Sequence, residues 1–120
     1  MIKDAIEARL SAMAELAPLI GRTRKTPRLT VKFTDGMARI EITTDGPGRA
    51  DARRLIHTAR SALHGQTIQA ANRIATPRHV ATDYLTKDGQ VRAIAAFVVR
   101  IETIPEGSPA KESGDETPAG

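Results

Sequence analysis

The chain repeats one local pattern twice: an amphipathic helix, then two alternating apolar–polar runs joined by Asp-Gly. The joints are Asp35-Gly36 and Asp88-Gly89. Asp-Gly between alternating runs specifies a tight hairpin, because both central residues of a type I′ turn need positive φ. The order αββαββ therefore predicts an α+β fold, a four-stranded antiparallel sheet with two helices packed on one face.

In the first half, Ile2, Ile6, Leu10, Met13, Leu16 and Ile20 fall on one helical stripe. Pro18 either ends that helix or starts a short further turn, and Gly21 closes the element. Arg28–Thr34 and Met37–Thr43 form the first hairpin, whose turn sets Phe33 opposite Ala38, Val31 opposite Ile40 and Leu29 opposite Ile42 on a core face. The other face sets Lys32 opposite Arg39 and Thr30 opposite Glu41, a wet face or one that meets an acidic surface.

In the second half, Gly48 is the expected N-cap, with Asp51 in the first turn where the helix dipole favours it. Ala52, Leu55, Ile56, Ala59 and Leu63 make the buried stripe. Arg53, Arg54, His57, Arg60 and His64 lie opposite. Gln66–Pro77 reads two ways: Ile68, Ala70 and Ala71 extend the helix or lead into a strand, and Pro77 breaks whatever precedes it. Val80–Thr86 and Val91–Thr103 form the second hairpin, pairing Thr86 with Val91, Tyr84 with Ala93, Thr82 with Ala95 and Val80 with Phe97.

The last strand is apolar on both sides. Val91, Ala93, Ala95, Phe97, Val99 and Ile101 form its core face, while Ile94, Ala96 and Val98 sit in the middle of the other. Such a strand needs cover on both sides, and one helical layer supplies only one. Ile94, Ala96 and Val98 therefore make a subunit contact or lie beneath a loop, and the subunit contact is the favoured expectation.

At 120 residues, one α+β domain over 1–105 is expected, followed by a disordered acidic tail over 106–120. Cysteine is absent, so neither disulfides nor thiolate metal sites are available. Lys3, Asp4, Glu7, Arg9 and Glu15 argue against a signal peptide or membrane span in the first 20 residues. With only Phe33, Tyr84 and Phe97 as aromatics, the core is aliphatic, and stability gained by association is expected. The tail holds four acids and one base, which leaves the body with 17 bases, 10 acids and a net charge of +7. A basic body suits an anionic partner. Arg22, Arg24 and Lys25 crowd one loop, either as a contact for phosphate or an acidic partner or as a solvated run.

No catalytic constellation is visible. His57, His64 and His79 lack a Ser or Asp in a nucleophile pattern, and phosphate-loop and dinucleotide fingerprints are missing. His57 and His64 share a helical face, but flanking arginines disfavour a bound cation. The expectation is a non-enzyme without cofactor or metal.

Three segments resemble the tail-completion, or tail-terminator, proteins of long-tailed bacteriophages and gene transfer agents. The first is the opening Met1–Leu10 with Ala17-Pro18-Leu19-Ile20-Gly21. The second runs from Ala38–Ile42 into Ala50–Leu55 and on to Ala59–Gly65. The third is Asp83-Tyr84-Leu85 with the closing strand through Ile104. The resemblance implies a virion structural protein of the neck: a ring, usually a hexamer, that caps the tail tube, docks to the head-completion or connector protein and leaves a channel for DNA without sequence specificity. It implies a place at the head–tail junction of the virion, and in the host cytoplasm during assembly. A ring uses heterologous contacts. Ile94, Ala96 and Val98 are expected at the subunit interface, and Arg22, Arg24, Lys25, Lys32 and Arg39 at the channel or a partner ring. The alternatives are a sequence-independent nucleic-acid-binding protein, or a small regulatory or adaptor protein.

Overall fold

Both Asp-Gly pairs make the turns their chemistry implies. In the computed structural model, which describes residues 1–46 and 48–104, φ is +54° and +75° at Asp35 and Gly36, and +53° and +76° at Asp88 and Gly89. The elements are α1 (Ile2–Ser11), a 3₁₀ turn (Ala17–Leu19), β1 (Arg28–Thr34), β2 (Met37–Asp45), α2 (Ala50–Leu63), β3 (Ile68–Ala70), β4 (Arg73–Lys87) and β5 (Gln90–Thr103). The strands lie in the order β1-β2-β5-β4-β3, every neighbouring pair antiparallel. The fold is α+β as expected, with five strands rather than four. The added strand, β3, comes from the ambiguous stretch after α2 and pairs with the start of β4.

The first hairpin keeps the expected register throughout. The second keeps it for Thr86–Val91, Tyr84–Ala93 and Thr82–Ala95, and then a bulge between His79 and Ala81 shifts the ladder. His79, not Val80, therefore faces Phe97, and Val80 is 54% exposed. A bulge adds one unpaired residue to one strand, which strict alternation does not anticipate.

Pro77 does not break the strand. It is buried and pairs with Val99 inside β4. Its carbonyl accepts from Gly65 N–H at 2.8 Å, so that side of the residue faces away from β5. The N–H that proline lacks would point the same way, past the end of β3, so no ladder bond is lost.

Ile2, Ile6 and Leu10 are buried on α1, which stops at Ser11, and Pro18 sits in a separate short 3₁₀ turn, the second of the two outcomes expected for it. Pro18 cannot donate to Ala14, and its ring crowds that carbonyl, so a helix through Ile20 is unavailable, and the chain from Ala12 to Leu16 already turns through i→i−3 bonds such as Met13 N–H to the Leu10 carbonyl. Leu16 and Leu19 reach the core through the turn and the 3₁₀ segment. On α2 the expected stripe is buried, with Ala62 added. Its N-cap is Arg49, one residue past Gly48, with Asp51 in the first turn as expected.

α2 packs on β2, β5 and β4. α1 packs on α2 and on both β1 and β3, which are opposite edges of the sheet. The sheet therefore curls, and α1 bridges its edges, which covers backbone that would otherwise invite pairing with other chains. Arg9 fastens this closure: its guanidinium donates to the Ala62 carbonyl at 3.2 Å and to Gln66 Oε1 at 2.8 Å. Phe97, fully buried, sits in the core between helices and sheet. Ile101, expected on the core face, is 37% exposed. β5 runs past β2, whose ladder ends at Met37–Val98. No helix among the described residues is long and apolar enough to cross a membrane. The expected acidic tail, 106–120, lies outside the described residues.

Candidate interaction surfaces

The face of the sheet turned away from the helices carries Ile94, Ala96 and Val98 side by side along β5. Directly opposite residues share a face, so the ladder gives their neighbours. Val98 lies between Met37 and Arg78, Ala96 between Arg39 and Ala81, and Ile94 between Glu41 and Asp83. Val98 is 46% exposed, and Ile94 and Ala96 are half-buried. The strip is thus apolar along β5, with a cation and an anion flanking it on each side. Leu85, opposite Arg92 on the same face, is 53% exposed. Its alternation with Tyr84 already carried that signal. Val80 had no such mark, since its position depends on the bulge.

The five cations expected at a channel or partner ring divide into two groups. Lys32 and Arg39 lie opposite each other on the outer face, where Lys32 Nζ pairs with Glu41 at 3.2 Å. That diagonal contact relieves the like-charge opposition. Arg22 is held within its own loop, donating to the Pro27 carbonyl at 3.0 Å. Arg24 and Lys25 are exposed in that loop, ahead of β1.

A third surface joins α2 to β4. Arg53, Ile56, His57 and Arg60 from the helix meet His79, Thr82 and Tyr84 from the strand around a groove of about 220 Å³. Thr82 and Tyr84 face inward by alternation from the hairpin turn, and the bulge brings His79 into the same phase. The guanidinium carbons of Arg49 and Arg53 lie 5.6 and 5.9 Å from the Tyr84 ring centre, within range of cation–π attraction. His79 Nε2 and Thr82 Oγ1 are 2.6 Å apart, and the His79 backbone N–H donates to His64 Nδ1 at 3.0 Å. Burial, then the charge of Arg60 and the neighbouring His64, hold the His79 pKa below the ordinary histidine value. The contact of His79 with Thr82 looks like a base–nucleophile pair. Among the described residues no carboxylate bonds the imidazole to orient it, as activation of such a pair requires.

A wider concavity of about 430 Å³ lies by the β4–β5 tip, lined by Thr43, Leu85, Lys87, Asp88, Gln90 and Arg92. Its charges are mixed in sign. Among the described residues, no three His, Asp or Glu side chains cluster as a metal site.

No family model, curated protein or solved structure matches this chain. Function therefore rests on these surfaces.

Proposed function

We propose that this chain is a non-catalytic assembly protein whose copies form a ring, the outer sheet face of each meeting a different patch on the next. In the particle suggested by the sequence resemblance, the ring terminates the tail tube, meets the head connector and passes DNA. The observation that carries this reading is the strip of Ile94, Ala96 and Val98, on a strand flanked by β2 and β4 yet left open on one face. A stable protein contact buries on the order of 800 Å² per partner. The strip supplies its apolar centre, and Met37, Arg39, Arg78, Asp83 and Leu85 supply a rim. A rim of both signs lets one copy meet the next in a fixed register. The αββαββ order within the fold, which β3 extends without disturbing, fits the same reading.

Sedimentation velocity over a wide concentration range tests it. Wild-type protein should form a closed oligomer, and Val98→Asp should remain monomeric, because the contact would bury an unpaired carboxylate. Val98 is exposed in the protomer, so the variant should stay folded and match the wild-type melting temperature at dilutions where both are monomeric, while lacking the rise that association gives wild type at high concentration. Unchanged assembly by Val98→Asp would remove this strand from the interface.

A further inference from the structure

We propose that the groove between α2 and β4 binds the phosphodiester backbone of nucleic acid without regard to sequence, through Arg53 and Arg60 with Arg49 and His57 beside them. The site lies on the helical side of the molecule, away from the outer sheet face. It does not depend on ring formation.

The first ground is placement. Arg49, Arg53, His57, Arg60 and His64 are spaced by four, four, three and four residues, so they form one row along the exposed side of α2. The fifteen residue steps from the N-cap Arg49 to the C-cap His64 rise about 22 Å. Each strand of a duplex carries one phosphate per 3.4 Å of axis, so that length faces several phosphates. A compact phosphate ligand would engage only the groove itself and leave the ends of the row unused.

The second ground is electrostatic. The groove lining contains two arginines, two histidines, a threonine and a tyrosine, and no carboxylate. Four cations elsewhere have an acidic partner within 4.0 Å: Lys3 with Glu7, Lys32 with Glu41, Arg54 with Glu15 and Asp51, Arg100 with Glu102. Among the described residues no acid lies within that distance of Arg49, Arg53 or Arg60, nor of Arg78, Lys87 or Arg92, so the groove is set apart by its carboxylate-free lining rather than by unpaired cations alone. The lowered pKa of His79, partly caused by Arg60, agrees with a positive field in the groove.

The third ground is preorganisation. Arg49 and Arg53 converge on one aromatic ring, so both forks are held before a ligand arrives, which reduces the ordering cost of binding. Thr82 and Tyr84 add hydroxyl groups able to bond phosphate oxygens.

The test is fluorescence anisotropy of the full chain with a labelled random-sequence duplex across a salt series. Wild type should bind with a steep negative slope of log affinity against log salt. Arg53→Gln with Arg60→Gln should flatten that slope by about 1.8, two contacts at about 0.9 each, and weaken binding at least tenfold near 0.1 M salt. Arg60→Gln alone should flatten the slope by about 0.9, half of that change, and Arg60→Lys should keep the wild-type slope. The single variant guards against misfolding of the double, because Arg60 is exposed. Arg24→Gln with Lys25→Gln should leave the slope dependence on Arg53 and Arg60 in place. In the Val98→Asp background the loss caused by the double variant should persist, which separates this site from the assembly contact. Absence of duplex binding, an unchanged slope in the Arg53/Arg60 variants, or equal affinity for poly-glutamate would overturn the proposal. The last result would assign the groove to an acidic protein.

Discussion

Gly46 stands where β2 meets the tip of the β4–β5 hairpin. Its N–H donates to the Gly89 carbonyl at 2.6 Å, and a Cβ on Gly46 would lie 2.9 Å from that same oxygen. The obstacle is backbone, and the turn holding it needs positive φ at Asp88 and Gly89, so it has little room to yield. Gly46→Ala should therefore destabilise the protein by about 1–3 kcal/mol, the usual cost of overpacking a filled site. Gly48→Ala is the matched control: nothing lies within 4 Å of its would-be Cβ. Its stability should stay within about 0.5 kcal/mol of wild type. Urea unfolding of the two variants checks both, and equal stability would show that the hairpin tip moves freely. Residue positions of this kind were hard to read in the sequence. Alternation alone places Val80 on the core face, but the bulge turns it out, and Ile101 is exposed because β5 outruns the β2 ladder.

Elements were legible in proportion to their local chemistry. Both Asp-Gly hairpins and the α2 stripe were visible because turn type and periodicity are encoded within a few residues. β3 was not, because its turn to β4 is Ala71-Asn72 and the strand is too short to show alternation. Ala71 has φ of +55°, a conformation in which Cβ crowds the following carbonyl. That strain costs an L-residue roughly 1–2 kcal/mol, whereas glycine escapes it but gives the unfolded chain about 0.4–1 kcal/mol of added freedom. Ala71→Gly should thus stabilise the protein by about 0.5 kcal/mol, seen as a small rise in melting temperature. A fall would mean that the Ala71 methyl makes contacts worth more than the turn strain. The limit of α1 follows a similar logic. Its apolar stripe is buried at Ile2, Ile6 and Leu10, and continues at Leu16 and Leu19 only after the helix has ended at Ser11, the last part in a 3₁₀ turn that holds Pro18.

At the scale of the whole molecule, curling of the sheet around α1 and α2 leaves two surfaces of different chemistry facing different ways. The outer strip was legible because β5 is apolar in both phases, a pattern visible in sequence alone. The groove was legible only in part: the hairpin register already turned Thr82 and Tyr84 towards the helices, but His79 joins them only through the bulge in β4. The two surfaces should respond to salt in opposite fashion. Apolar burial is not screened, whereas exposed charges further apart than about 3 Å are largely screened at 1 M salt. If copies meet through Ile94, Ala96 and Val98, raising salt from about 0.1 to 1 M should change the self-association constant by less than about threefold. Nucleic-acid affinity should fall by orders of magnitude over the same range, through counterion release. Sedimentation equilibrium and anisotropy in matched buffers measure both on one preparation. Self-association that weakened tenfold or more would shift the contact from the apolar strip to Arg39, Glu41, Arg78 and Asp83 beside it. The rim would then carry the binding energy, and Val98→Asp would act through charge repulsion rather than through a lost apolar seat.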